Sequence, residues 1–129
     1  MARHDTDPSL APHPVRLAQP LIDAFVRSPT CPDHHRWHAR STLPVLALFV
    51  AMMKDPDESG LRWDALVPDA LVAASIEADP AEYGFLHDLL DVSASFYRFL
   101  GERGVMSRDG AKRIRLRLTQ LALGFTRAA

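Results

Sequence analysis

The sequence predicts an all-α protein, a single compact bundle of five or six helices. Three observations lead there. Apolar residues recur at steps of three and four, as in Phe85, Leu89, Val92, Phe96 and Leu100, which lines up one buried helical face. Prolines and glycines fall at segment edges, with the chemistry of helix starts and stops beside them. One stretch, Ile114-Arg115-Leu116-Arg117-Leu118, alternates like a strand. It has no evident strand partner, and its leucine, alanine and arginine content favours helix.

The elements follow in order. Residues 1–16 hold Pro8, Pro12 and Pro14 without apolar period, which predicts a disordered tail and a helical domain over 17–129. Pro20 suits the first position of a helix whose apolar face is Leu21, Ile22, Phe25 and Val26. Ser28-Pro29 ends it, because the residue before proline avoids helical backbone. Thr30 and Asp33 have capping-box spacing for the next helix. That helix either runs kinked to Met53 or splits near Ser41-Thr42, ahead of Pro44, and its core face is Leu46, Phe49, Val50 and Met53. After a polar loop over 54–60, Trp63, Leu66 and Val67 lead to Pro68 and a short helix carrying Leu71, Val72 and Ile76. Asp79-Pro80-Ala81-Glu82 has the residues of a helix start. Gly104 fits the left-handed position after that helix, and Ser107 caps a last helix with Ala111, Ile114, Leu118 and Leu121 on its apolar face.

At 129 residues a single domain buries about two-thirds of its unfolded surface. Hydrophobic residues make up 47% and charged residues 24%, a globular composition that excludes a mainly disordered or membrane-embedded chain. No basic-then-apolar leader opens the sequence, and Cys31 is its single cysteine, so the expectation is a cytoplasmic protein without internal disulfides. The net charge of −1 hides a polarity. From Asp55 to Asp91 acidic residues dominate, whereas from Arg98 onward arginine and lysine do. Such asymmetry either steers the basic end toward a polyanion or lets the two regions pair with each other.

The order of pieces resembles the N-terminal core-binding (SAM-like) domain of tyrosine recombinases and phage integrases. The resemblance rests on Leu21-Ile22-Asp23-Ala24-Phe25, the apolar run from Leu46 to Met52, the Trp63–Leu71 turn into a proline-started helix, and Phe96-Tyr97-Arg98-Phe99-Leu100-Gly101 before a short turn. It spans Leu21 to Ala111. Thr42 stands where the family often has tyrosine. The resemblance implies a SAM-like core, here with an added C-terminal amphipathic helix, and contact with the backbone of duplex DNA. By position it makes Arg36, Arg40, Arg98 and Arg108 candidate contacts. The recombinases' catalytic domain has no counterpart here. His13-Pro14-Val15-Arg16 spells their His-x-x-Arg motif only by chance, so no DNA cleavage and no enzymatic activity are expected.

The residues themselves add Lys112 and Arg115, which share one helical stripe with Arg108 and whose planar or point-like cations suit phosphate oxygens. The rival reading is a protein-interaction or homo-oligomerisation module, in which Leu116 and Leu123 form an association patch on the last helix. Cys31, His34 and His38 have a spacing that zinc sites use, but only the distant His87 offers a fourth ligand, so no metal and no cofactor are expected. Trp37 and Tyr97 read as half-buried packing residues, with the tyrosine hydroxyl in water. Asp88 and Asp91 read as part of a solvated face.

Overall fold

The computed structural model describes residues 13–78 and 83–128. Five α-helices follow one another: α1 (Pro14–Arg27), α2 (Asp33–Met53), α3 (Pro68–Ala78), α4 (Tyr83–Glu102) and α5 (Arg108–Ala128), with a 3-10 turn at Trp63–Ala65. No strand occurs among the described residues, and the expected all-α bundle is what forms. α4 packs most extensively on α5 and also holds α2, which in turn packs on α1. α4 is therefore the central rod.

Its sequence explains that position. The expected stripe is buried from Leu89 through Val92, Phe96 and Leu100, and a second one, Leu86, Leu90, Ser93 and Tyr97, is buried beside it. A helix apolar over so wide an arc must be covered on more than one side. Phe85, expected to open the stripe, is 37% exposed in the first turn, and Leu86 takes the core position instead. Around the middle of α4 the rings of Phe25, Trp63 and Phe96 meet edge to face, with centroids 5.4 Å (Phe25–Phe96) and 5.1 Å (Trp63–Phe96) apart, the offset that aromatic quadrupoles favour. Tyr97 departs from expectation. It is fully buried, and its hydroxyl donates to the Trp63 carbonyl at 2.6 Å rather than to water, which pins the 3-10 turn to α4. Burial pushes its hydroxyl pKa well up.

The helix ends show how local chemistry and tertiary contact divide the work. α1 begins at Pro14, not Pro20, so residues 14–16 are helical, while residues 1–12 of the expected tail lie outside the described residues. Pro14 takes the favoured first position, and His13 Nδ1 accepts from the Val15 N–H at 3.2 Å. Pro20 sits inside α1 at an exposed position, where water can serve the carbonyl left without a partner. α1 ends at Arg27 as expected, with the Ser28 hydroxyl donating to the Phe25 carbonyl at 2.7 Å.

α2 is one continuous helix through Pro44, the first of the two expected alternatives. Its buried face, Ala39, Thr42, Leu43, Leu46, Ala47 and Val50, runs across the proline without a break, and that burial outweighs one lost backbone bond. Phe49 is half-buried and Met53 exposed, so the core face is rotated toward Leu43 and Ala47. The expected capping box is absent: Pro32 is the N-cap, without a side-chain bond, and the Thr30 hydroxyl donates instead to Glu102. Val67 is 47% exposed, although Trp63 and Leu66 beside it are buried. The expected helix start at Asp79–Glu82 lies outside the described residues.

Between α4 and α5 the turn forms as expected. Gly104 has φ +74, where a side chain would be strained. The N–H of Val105 reaches the Leu100 carbonyl at 3.0 Å and that of Gly104 reaches the Gly101 carbonyl at 3.2 Å, the paired bonds of a Schellman ending. Ser107 Oγ then accepts from the Gly110 N–H at 3.1 Å and caps α5. The strand-like alternation over 114–118 is thus overruled by a helix whose buried side is Ala111, Ile114, Leu118 and Ala122, with Leu121 half-buried beside it.

Candidate nucleic-acid interface

A close helix crossing builds the site. A Cβ added to Gly101 on α4 would lie 2.9 Å from the Ala111 Cβ on α5, so only two very small residues let the helices approach this closely there. Residues flanking the crossing are drawn together as a result. They line a shallow groove of about 220 Å³ whose walls are Arg98 and Glu102 from α4 and Arg108, Lys112 and Arg115 from α5. Four of the six expected contact residues therefore converge on one hollow.

Its electrostatics are one-sided, with four cations against one carboxylate. Arg98 Nε lies 3.3 Å from Glu102 Oε2. The Thr30 hydroxyl holds that carboxylate below its ordinary pKa, helped by the charges of Arg98 and Arg108. Among the described residues no ion pair engages Arg108, Lys112 or Arg115. Arg117, one turn from Arg113, behaves differently. It grips Asp69 with two nitrogens, Nε to Oδ1 at 2.8 Å, and this is where the acidic middle and the basic end do pair.

Arg36 and Arg40 lie elsewhere. Arg36 donates to the Val26 carbonyl at 2.9 Å and the Ser28 carbonyl at 3.3 Å, and pairs with Asp33. It satisfies carbonyls at the end of α1 that the helix leaves open. Arg40 pairs with Asp23 at 2.7 Å. Neither lines the groove.

The histidine set divides as well. Cys31 is buried with Sγ 3.6 Å from the Pro32 carbonyl, and burial raises its thiol pKa. His38 Nδ1 lies 3.7 Å from Asp88. The buried member is His35, which sequence reasoning passed over: its Nε2 is 2.8 Å from Asp91 Oδ2, and its Nδ1 is 3.0 Å from Ser95 Oγ. Asp91 stays on the expected solvated face, with 42% of its side chain exposed, and its bond to His35 holds its carboxyl below the ordinary value. The readable signal was Asp88, Asp91 and Ser95 on one face of α4 at steps of three and four. Trp37, expected half-buried, is 85% exposed.

A larger hollow of about 530 Å³ lies between α1, residues 59–64 and the α4–α5 turn. Its walls include Leu17, Leu21, Trp63 and Met106, and its Ser107 hydroxyl is occupied in capping α5. Ser59, Arg62 and Asp64 also line it, and the Ser59 hydroxyl donates to Asp57 Oδ1 at 2.6 Å. Among the described residues no helix is long and apolar enough to cross a membrane. No protein-family model, curated protein or solved structure matches the chain.

Proposed function

We propose that this chain is a non-catalytic DNA-binding helical domain, similar in plan to a recombinase core-binding domain, that grips the phosphate backbone of duplex DNA in the α4–α5 groove. The observation that carries this reading is the convergence of Arg98, Arg108, Lys112 and Arg115 on one hollow, with Glu102 as its one carboxylate and no ion pair engaging the last three among the described residues. From Arg108 to Arg115 the α5 cations span about 10 Å, a length over which one DNA strand presents about three phosphates. Guanidinium groups meet phosphate oxygens in pairs, and Lys112 adds a point charge. Such contacts hold and orient a duplex, while base readout requires further contacts. Arg36 and Arg40 enter this reading as supports of α1 and α2 rather than as contacts. A place beside mobile-element machinery goes with the resemblance alone.

Anisotropy of labelled duplex DNA over a salt series tests it. Affinity should fall as salt rises, with a log–log slope of about −3.6 for four phosphate contacts. Changing Arg108, Lys112 and Arg115 together to Glu should abolish binding, and Glu102→Gln should tighten it. Absence of binding to duplex at low salt overturns the proposal.

The second reading is self-association through α5. Leu116 and Leu123 stand two turns apart and are 46% and 60% exposed, an apolar pair off the buried face. Light scattering over a concentration range decides it. A strictly monomeric chain sinks this reading, and a dimer that Leu116→Ser and Leu123→Ser dissolve sustains it.

A further inference from the structure

We propose that the contact between the first turn of α2 and the middle of α4 binds a first-row transition-metal dication of the Zn²⁺ type, ligated by His34, His35 and Asp91. Each residue offers one donor atom, and the three atoms lie within 4.8 Å of one another. His35 and Asp91 are already 2.8 Å apart. At zinc bond lengths, donor atoms in a tetrahedral site stand about 3.3–3.5 Å apart. Small side-chain adjustments therefore suffice, and the exposed His34, whose ring centroid is 4.3 Å from that of His35, is the ligand that moves. Two imidazoles and a carboxylate select zinc, iron, cobalt or nickel over magnesium or calcium, which take oxygen ligands. Three protein ligands leave a coordination position for water.

The supporting residue is also present. Ser95 stands one helical turn after Asp91 and touches the other nitrogen of the His35 ring, at 3.0 Å. With Nε2 protonated, that N–H donates to Asp91 and the serine hydroxyl donates to Nδ1. On metal binding Nε2 releases its proton and offers its lone pair to the cation, the ring takes up a proton from water at Nδ1, and the same hydroxyl accepts that N–H. A hydroxyl serves both tautomers, so the ring does not have to move to change role. The His35–Asp91 pair by itself accounts for a satisfied buried histidine but assigns nothing to His34. His34 is therefore the discriminating position. The site lies on a different helix pair from the basic groove and does not depend on DNA binding.

Calorimetry with Zn²⁺ and visible absorption with Co²⁺, on the tag-free full chain, test the proposal. One equivalent should bind, with Co²⁺ bands showing nitrogen and oxygen donors at a low-coordinate site. His34→Ala and Asp91→Asn should each weaken binding by at least about tenfold, and Ser95→Ala by about tenfold. His38→Ala and His87→Ala should leave it unchanged. Helical circular dichroism confirms that each variant is folded, and the exposed His34 makes His34→Ala the decisive variant should the α4 variants unfold. Absence of saturable Zn²⁺ uptake by the native chain overturns the proposal, as does uptake that survives His34→Ala or disappears in His38→Ala.

Discussion

The two most extensive contacts that α4 makes, with α5 and with α2, use polar residues in opposite ways. Against α5 the meeting point is Gly101 on Ala111, and the charged residues are left at the edges. Among the described residues no ion pair engages Arg108, Lys112 or Arg115 there. Against α2 one polar group, His35, is buried in the contact, and Asp91 and Ser95 at its edge satisfy that ring. The same contrast recurs within α5: Arg115 lines the groove, while Arg117, two residues on, is held by Asp69. Charge count says little about binding. What matters is which charges the fold has already engaged, because an engaged cation must give up a partner before it meets a phosphate.

The largest effect should come from breaking the close crossing. Gly101→Leu adds a side chain where even a Cβ would sit 2.9 Å from the Ala111 Cβ. Replacing a helical glycine gains up to about 1 kcal/mol in propensity, but overpacking costs about 1–3 kcal/mol, so the net sign is destabilising. A lower urea midpoint together with loss of DNA binding is expected; an unchanged midpoint would show that the helices separate without cost.

A smaller effect belongs to the α2–α4 contact and depends on pH. The folded carboxyl of Asp91 titrates below its ordinary value of 3.8 because His35 bonds to it. Its contribution is therefore fully present above that value and lost as pH falls below it. Asp91→Asn should lower the denaturation midpoint near neutrality and flatten its decline as pH falls below about 4. An unchanged acid limb would disconnect the pair from stability. The smallest effect is expected at Arg117. Arg117→Ala breaks an exposed pair with Asp69, and the urea midpoint should stay within measurement error. DNA affinity should also hold, since Arg117 is not in the groove; a marked loss would extend the interface along α5.

Much of the architecture was legible because it depends on neighbours in sequence. The stop at Ser28-Pro29, the Gly104–Ser107 corner and the stripe from Leu89 to Leu100 follow from backbone sterics, local hydrogen bonds and helical period. The grouping of Arg98 with Arg108, Lys112 and Arg115 was readable in part, since a short turn folds α5 back along α4. The engagements of Arg36, Tyr97 and His35 were not read from the sequence for one shared reason. Their partners are the Val26 carbonyl, the Trp63 carbonyl and Asp91, respectively, and the last two lie 34 and 56 residues away. Thr30 likewise has the spacing of a local cap but reaches Glu102, 72 residues on.

By itself, then, the sequence determined that the chain is helical, where most helices end, and which residues are apolar enough to be covered. Those properties are set by interactions across a few residues and by a period that repeats along the chain. The tertiary structure decided which polar residues became satisfied and which stayed available. That outcome depends on how closely two helices approach, here set by a glycine facing an alanine, and on side chains that meet only after the helices have packed.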